Sequence, residues 1–287
     1  MPRFLTRPGL LLAATAMLAA PLLVPGLAGA QQDPVARGAY LVTAVAACGN
    51  CHTPMGPDGP LPGKTLAGGQ VVVDIPPFRA VSANITPDKD TGIGDWTTAQ
   101  IATAIREGKR PDGSTIGFPM PIPLYRGISD TDVAAIAAYL KTLPPVHNEF
   151  AYSDYRIPLP DQYGPPVAQV PDPPANDPVA RGAYLAGPVA HCIECHTPMA
   201  ANGERDWTRT GAGGPAFKGP WGESIPANLT PGGLGNLSDD QIVRAITQGI
   251  GADGRKLKPP MPFAAYANMR AGDLQDILAY LRSLPRQ

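Results

Sequence analysis

Nine residues occur twice in this chain without change, as Asp33-Pro34-Val35-Ala36-Arg37-Gly38-Ala39-Tyr40-Leu41 and Asp177-Pro178-Val179-Ala180-Arg181-Gly182-Ala183-Tyr184-Leu185. Each copy begins 15 residues ahead of a Cys-x-x-Cys-His pentapeptide. Self-similarity at matched spacing marks a duplicated architecture, and a unit of about 110 residues is an ordinary domain size. The pentapeptides, Cys48-Gly49-Asn50-Cys51-His52 and Cys192-Ile193-Glu194-Cys195-His196, hold all 4 cysteines. C-x-x-C-H is the attachment signature of c-type haem: the two thiols add across the two porphyrin vinyl groups, and the adjacent imidazole reaches the iron. The expected cofactors are therefore two covalently bound haem c groups. Cys48, Cys51, Cys192 and Cys195 would form the thioethers, with His52 and His196 as proximal iron ligands.

Other uses of these cysteines fit less well. A closed structural zinc site takes four ligands, whereas each half supplies two Cys and one His. A thioredoxin-like pair calls for a strand-to-helix context that neither copy shows, and structural disulfides do not explain a histidine in the same place twice.

Residues 1–30 read as a secretory signal, with Arg3 and Arg7 at the positive end, an apolar stretch from Leu10 to Leu23 and a small-residue cleavage site at Ala28-Gly29-Ala30. The competing reading is a retained membrane anchor, against which Pro21 and Pro25 interrupt the apolar run. Cleavage would remove two of the 23 basic side chains and none of the 24 acidic ones, leaving a mildly acidic chain. Nucleic-acid binding, which calls for a basic stripe, is not expected.

Helix signals recur in both halves. Asp33 and Asp177 are N-cap residues followed by Pro at the first helical position. Thr97-x-x-Gln100 and Ser238-x-x-Gln241 are capping-box patterns, with stops near Gly108 and Gly249. A third helix begins around Ser129 with Val133, Ile136, Tyr139 and Leu140 on one face, and its counterpart carries Leu274, Ile277, Tyr280 and Leu281. Strand periodicity is nearly absent apart from Val71-Val72-Val73. This arrangement resembles the class I cytochrome c fold, in which the first and last helices cross beside the haem. The expectation is an all-α chain of two tandem class I cytochrome c domains, each a few helices around a covalently bound haem, at residues 33–150 and 177–287. Gly38 and Gly182 would be close-packing points under Tyr139 and Tyr280. A Pro-rich linker is expected at 151–176. Proline enrichment starts at Pro144, with nine prolines across 144–176, and the aromatics Phe150, Tyr152, Tyr155 and Tyr163 predict packing along both domains.

Met120 and Met261 each sit in a Pro-Met-Pro triplet between the middle and last helices. Proline fixes its own φ and biases the preceding residue toward extended backbone, so each thioether is offered from a stiffened loop. A class I cytochrome places its distal methionine there, making the expected iron ligands His52 with Met120 and His196 with Met261. Met55 and Met199, three residues after the histidines, are too close in sequence to reach the opposite face of a porphyrin. Core filling is the alternative for Met120 and Met261, with Met269 a spare candidate in the second half.

Asn84-Ile85-Thr86-Pro87-Asp88, Gly92-Ile93-Gly94-Asp95-Trp96-Thr97, Pro119-Met120-Pro121 and the helix ending Tyr139-Leu140-Lys141-Thr142-Leu143-Pro144 are similar to the cytochrome c subunits of bacterial membrane-associated dehydrogenases acting on alcohols, aldehydes or sugars. The second half keeps Asn228-Leu229-Thr230-Pro231 and Pro260-Met261-Pro262 but lacks the Gly-Ile-Gly-Asp-Trp run. The resemblance implies a periplasmic di-haem electron-transfer protein rather than an enzyme. Its donor would be a dehydrogenase subunit and its acceptor an oxidase or another cytochrome, with peripheral association to a membrane complex. Export fits, because bacterial c-type cytochromes mature outside the cytoplasmic membrane. The resemblance also puts Asn84, Trp96 and Asn228 near haem propionates, although Asn before Thr-Pro is equally a turn former. The alternative is a di-haem enzyme such as a cytochrome c peroxidase, which needs one iron that can open.

Overall fold

Both copies of the repeated nonapeptide wind into helices with the expected caps. The computed structural model describes residues 33–287 together with Met1; the rest of the expected export signal lies outside the described residues. Helix α1, Pro34–Tyr40, starts where the Asp33 carboxylate accepts from the Val35 N–H at 3.0 Å. It continues into a π-helical turn, Leu41–Val45, which delivers the chain to the one-turn helix α2, Gly49–His52. Two small hairpins follow, β1 (Met55–Gly56) with β2 (Gly59–Pro60) and β3 (Val71–Ile75) with β4 (Phe78–Val81). Then come α3 (Thr98–Glu107), α4 (Ile122–Tyr125), α5 (Asp130–Thr142) and strand β5 (Asp154–Tyr155). The second repeat runs α6 (Pro178–Tyr184), a π turn (Leu185–Val189), α7 (Cys192–Cys195), a hairpin of β6 (Phe217–Gly219) and β7 (Gly222–Ser224), and α8 (Pro231–Leu234). It closes with α9 (Asp239–Gln248), α10 (Phe263–Tyr266) and α11 (Ala271–Ser283).

The local stops work as their chemistry dictates. Thr97 and Ser238 form reciprocal capping boxes with Gln100 and Gln241, and α3 and α9 end on Gly108 and Gly249 at φ of 66° and 64°, where a left-handed residue is needed. In each repeat the first helix packs on the last, and a Cβ at Gly38 or Gly182 would overlap the carbonyl of Ala135 or Asp276 beside Tyr139 or Tyr280. Two-pronged ion pairs brace these crossings, Arg37 to Asp132 at 2.8 Å and Arg181 to Asp276 at 2.7 Å.

The all-α expectation fails. A three-stranded antiparallel sheet, β3-β4-β5, and two two-stranded hairpins lie among the helices, so the chain is not an all-α pair of class I domains. Pro76-Pro77 forbids helix between β3 and β4, and the backbone groups of the flanking residues find partners by pairing Val71 with Val81 and Ile75 with Phe78. The third strand comes from the connector, with Phe78 paired to Tyr155 and Arg79 to Asp154. No local pattern in a two-residue strand announces such a partnership.

The connector touches both repeats, though most of its ties go to the first: Tyr155 Oη donates to Phe118 O at 2.7 Å, Tyr163 Oη to Ile116 O at 2.8 Å, and the backbone Asp130 N–H to Val170 O at 2.9 Å, whereas in the second repeat Arg181 Nη1 donates to Ala175 O. The repeats also meet each other directly. One apolar core runs through both, joining Leu41, Val42 and Val45 to Leu185, Ala186 and Val189, and the whole of 33–287 is one compact unit. Reciprocal polar ties cross the seam. Tyr40 Oη donates to Asp273 Oδ2 at 2.5 Å, and Tyr184 Oη donates to Asp132 Oδ2 at 2.7 Å, Asp132 and Asp273 being equivalent positions of α5 and α11.

Candidate haem sites

The backbone turns into each Cys-x-x-Cys-His motif through a left-handed residue, Ala47 at φ 50° and His191 at φ 43°. The following single helical turn sets both thiols of a motif toward one side. All four thiols are free and half-buried. Burial pushes Cys48 and Cys192 up to about 12 and Cys195 up to about 11. Cys51 is also raised by burial, and the Glu194 carboxylate of the other repeat adds to the effect. The thiols are therefore protonated near neutral pH and are not poised as thiolate nucleophiles.

The histidines are oriented identically. His52 Nδ1 lies 2.7 Å from Ala83 O and His196 Nδ1 2.7 Å from Ala227 O. A carbonyl only accepts, so Nδ1 carries the proton and Nε2 keeps its lone pair for a metal. Burial lowers both imidazole pKa values, which holds the rings in this neutral form. Such an outer hydrogen bond fixes ring orientation and raises ligand basicity.

Asn84 and Asn228 immediately follow those two carbonyls. Asn84 Oδ1 accepts from Thr86 N at 2.9 Å and Thr86 Oγ1 at 2.7 Å, while its amide donates to Thr91 Oγ1 and Val146 O. Both amide hydrogens are thus committed within the protein, leaving none at Asn84 for a haem propionate. Asn228 repeats the turn with Thr230, at 2.8 and 2.7 Å, and gives one amide hydrogen to Gln287 O. These side chains act as turn formers that hold the histidine-anchoring carbonyls in place. Trp96 packs half-buried against the core.

Met120 and Met261 sit at the mouths of α4 and α10, half-buried, Met120 beside Tyr125, Ile128 and Val133 and Met261 against the main core. Met55 and Met199 are 50% and 44% exposed, and Met269 is buried in the core at 8%. The helix after each methionine packs on the π turn of the opposite repeat, α4 on Leu185–Val189 and α10 on Leu41–Val45. Asn50, inside the first Cys motif, donates to Pro260 O at 3.2 Å, next to Met261. The Tyr125 ring meets the His191 ring edge-on at 5.9 Å. Each methionine loop therefore adjoins the other repeat's cysteine motif. Sequence reasoning passed over Tyr125 and Tyr266, although both lie five residues after their methionine.

The donor set suits a covalently held haem. Each repeat offers two free thiols, a neutral imidazole with an available Nε2 and a thioether on a neighbouring loop. Among the described residues, Trp221 Nε1, Arg126 Nη1 and Arg244 Nε are buried without partners, and donors of that kind match haem carboxylates.

Residues 35–144 match the cytochrome c family. The fructose dehydrogenase cytochrome subunit of Gluconobacter japonicus is 32% identical over 96% of this chain and 57% of its own length. The cytochrome c subunit of the quinone alcohol dehydrogenase of Gluconobacter oxydans is 31% identical over 88% of this chain and 55% of its own. The chain thus spans little more than half the length of these two. A diheme cytochrome c-type protein of Cereibacter sphaeroides is 30% identical over 83% of this chain and 82% of its own length. Likeness carried over most of both sequences, on top of thiols and imidazoles set out as haem c requires, makes this chain a member of the cytochrome c family.

Proposed function

We propose that the chain is a periplasmic di-haem electron carrier that takes electrons from a dehydrogenase subunit and passes them to a respiratory acceptor such as an oxidase or another cytochrome. Cys48 with Cys51 and Cys192 with Cys195 hold one haem c each. His52 with Met120 and His196 with Met261 would ligate the two irons, and Trp96 and the remaining amide hydrogen of Asn228 would be available to propionates. When bound, each haem would supply a one-electron Fe(III)/Fe(II) couple, and a thioether together with an imidazole would favour the ferrous state. The chain's own contribution is to fix the imidazoles through Ala83 and Ala227, to exclude water with a shared apolar core and to keep the two sites side by side.

The observation that carries this reading is that adjacency, with Asn50 bonded beside Met261 and Tyr125 against His191. Two redox centres held by one core exchange electrons within the molecule without a docking step. Export is supported by the signal-like segment at residues 1–30, and among the described residues no helix is long and apolar enough to cross a membrane. Relatives named as subunits of fructose and alcohol dehydrogenases support a dehydrogenase as donor.

Mass spectrometry of the mature holoprotein, combined with rapid mixing against a reductant, tests the proposal. Two covalent haems per chain, falling to one in Cys48→Ala, and intramolecular equilibration that does not depend on protein concentration are expected. A single haem, or equilibration that scales with concentration, refutes it.

A further inference from the structure

The loops that carry Met120 and Met261 have the same length and closure. Each methionine lies 12 residues after the glycine ending the preceding helix, and each loop is pinched by the same bond, Ile116 N to Gly108 O and Leu257 N to Gly249 O, both 2.7 Å. Residues 116–118 therefore correspond to 257–259, and the two loops can be compared position by position.

The connector clamps only the first. Tyr155 Oη donates to Phe118 O at 2.7 Å and Tyr163 Oη to Ile116 O at 2.8 Å, so two rigid phenols grip the backbone two and four residues ahead of Met120. Gly117 lies so close under the Tyr155 ring that an added Cβ would collide with it. Phe118, Phe78 and Tyr155 complete an aromatic lid, with ring centres 5.8 and 5.6 Å apart. In the second repeat residues 252–259 are all exposed, and Lys258 stands where the first has Gly117. The tethers there are Lys258 Nζ to Glu223 O at 3.1 Å and Asn50 Nδ2 to Pro260 O at 3.2 Å, both longer and both from exposed, flexible side chains.

We infer that the connector makes Met120 a fixed ligand and leaves Met261 exchangeable, so that the second haem site takes up a small uncharged diatomic ligand such as carbon monoxide in place of the thioether. The inference rests on the His/Met reading above. In the exchange the bond from ferrous iron to Met261 sulfur breaks and one from iron to the incoming carbon forms, with no change in oxidation state. The chain's part is the swing of residues 252–261 away from the core, which needs no phenol-to-carbonyl bond to break. An uncharged ligand is required because Met261 packs against the apolar core and not against a charged wall. Tyr155 and Tyr163 are positioning residues, acting on the first site through the backbone of residues 116–118.

Carbon monoxide titration of the fully reduced holoprotein tests this. The parent should bind one equivalent per chain; Met261→Leu should still bind one, more tightly, and Met120→Leu should bind two. Tyr155→Phe with Tyr163→Phe keeps both rings and removes both grips. Each neutral hydrogen bond is worth about a five-fold change in an equilibrium, so the pair should tighten carbon monoxide binding at the first site about 25-fold and bring the stoichiometry to two. No binding by the parent, two equivalents in the parent, two equivalents in Met261→Leu, or an unchanged first site in the double Tyr variant would each overturn the inference. The ferric thioether-to-iron absorption band separates failure of the underlying ligand assignment: if neither leucine variant diminishes it, the methionines are not ligands, whatever carbon monoxide does.

Discussion

Replacing Tyr184 by Phe removes one hydroxyl and no ring, which isolates the polar tie between the repeats. The lost oxygen donates to Asp132 Oδ2 at 2.7 Å and accepts from the Ser129 N–H at 3.2 Å. Asp132 is only 4% exposed and Ser129 is fully buried, so water cannot take the place of the phenol. A hydrogen bond to a charged group contributes about 1.5–3 kcal/mol, and the stranded Ser129 amide puts the expected loss toward the upper end, about 2–3 kcal/mol. Tyr40→Phe should lose only about 1 kcal/mol, because Asp273 and Arg270 lie nearer the surface. Against a typical total of about 5–15 kcal/mol both are measurable. Guanidinium unfolding of the holoprotein, followed in the haem absorption, gives the difference, and the continuous core predicts one transition for both repeats. A loss below about 0.5 kcal/mol for Tyr184→Phe would refute the argument, since surface substitutions away from any such tie fall within that range. A parent that unfolds in two separate steps would refute it as well.

Gly182→Ala should lower stability by about 1–3 kcal/mol despite the better helix propensity of alanine, because its Cβ overlaps the Asp276 carbonyl; a variant melting at or above the parent would show that α6 and α11 can separate freely. Burial holds the phenols of Tyr125 and Tyr266 well above their usual range, so the unfolded chain releases these protons first as pH rises. Stability should accordingly be flat with respect to these groups below pH about 10 and fall above it by about 1.4 kcal/mol per pH unit for each tyrosine, as urea titrations between pH 8 and 11 would reveal. Asn84→Ala frees the carbonyl that anchors His52, weakening the basicity of that imidazole and raising the reduction potential of the first site alone in a potentiometric titration; a shift at the second site, or none, would remove Asn84 from this role.

Signals are legible in the sequence where their cause is local. Asp33 and Asp177, the capping boxes at Thr97 and Ser238, and the glycine stops act within a few residues of themselves, so a one-dimensional reading captures them. Gly38 and Gly182 were legible because a glycine in a helix interior needs a packing reason. Among the strands only β3 was legible, at Val71-Val72-Val73; β5 was not, because Asp154–Tyr155 owes its conformation to Phe78 and Arg79, more than 70 positions away in the chain. The turn role of Asn84 was visible in Asn-x-Thr, whereas its service to His52 through Ala83 exists only once the loop has folded back onto α2. The seam between the repeats was hidden for the same reason, since nothing near Tyr184 in sequence points to Asp132.

The two copies of the arginine brace have drifted apart in a way that bears on how the halves can diverge. In the first repeat a single carboxylate, Asp132, takes both the arginine of its own helix pair and the tyrosine of the other repeat. In the second these duties are divided, Asp276 holding Arg181 and Asp273 holding Tyr40. A substitution at position 132 therefore disables two functions together, while positions 273 and 276 can vary one at a time. Mutational tolerance should be lopsided, with the second half free to loosen or tighten its grip on its neighbour without unmaking its own helix crossing.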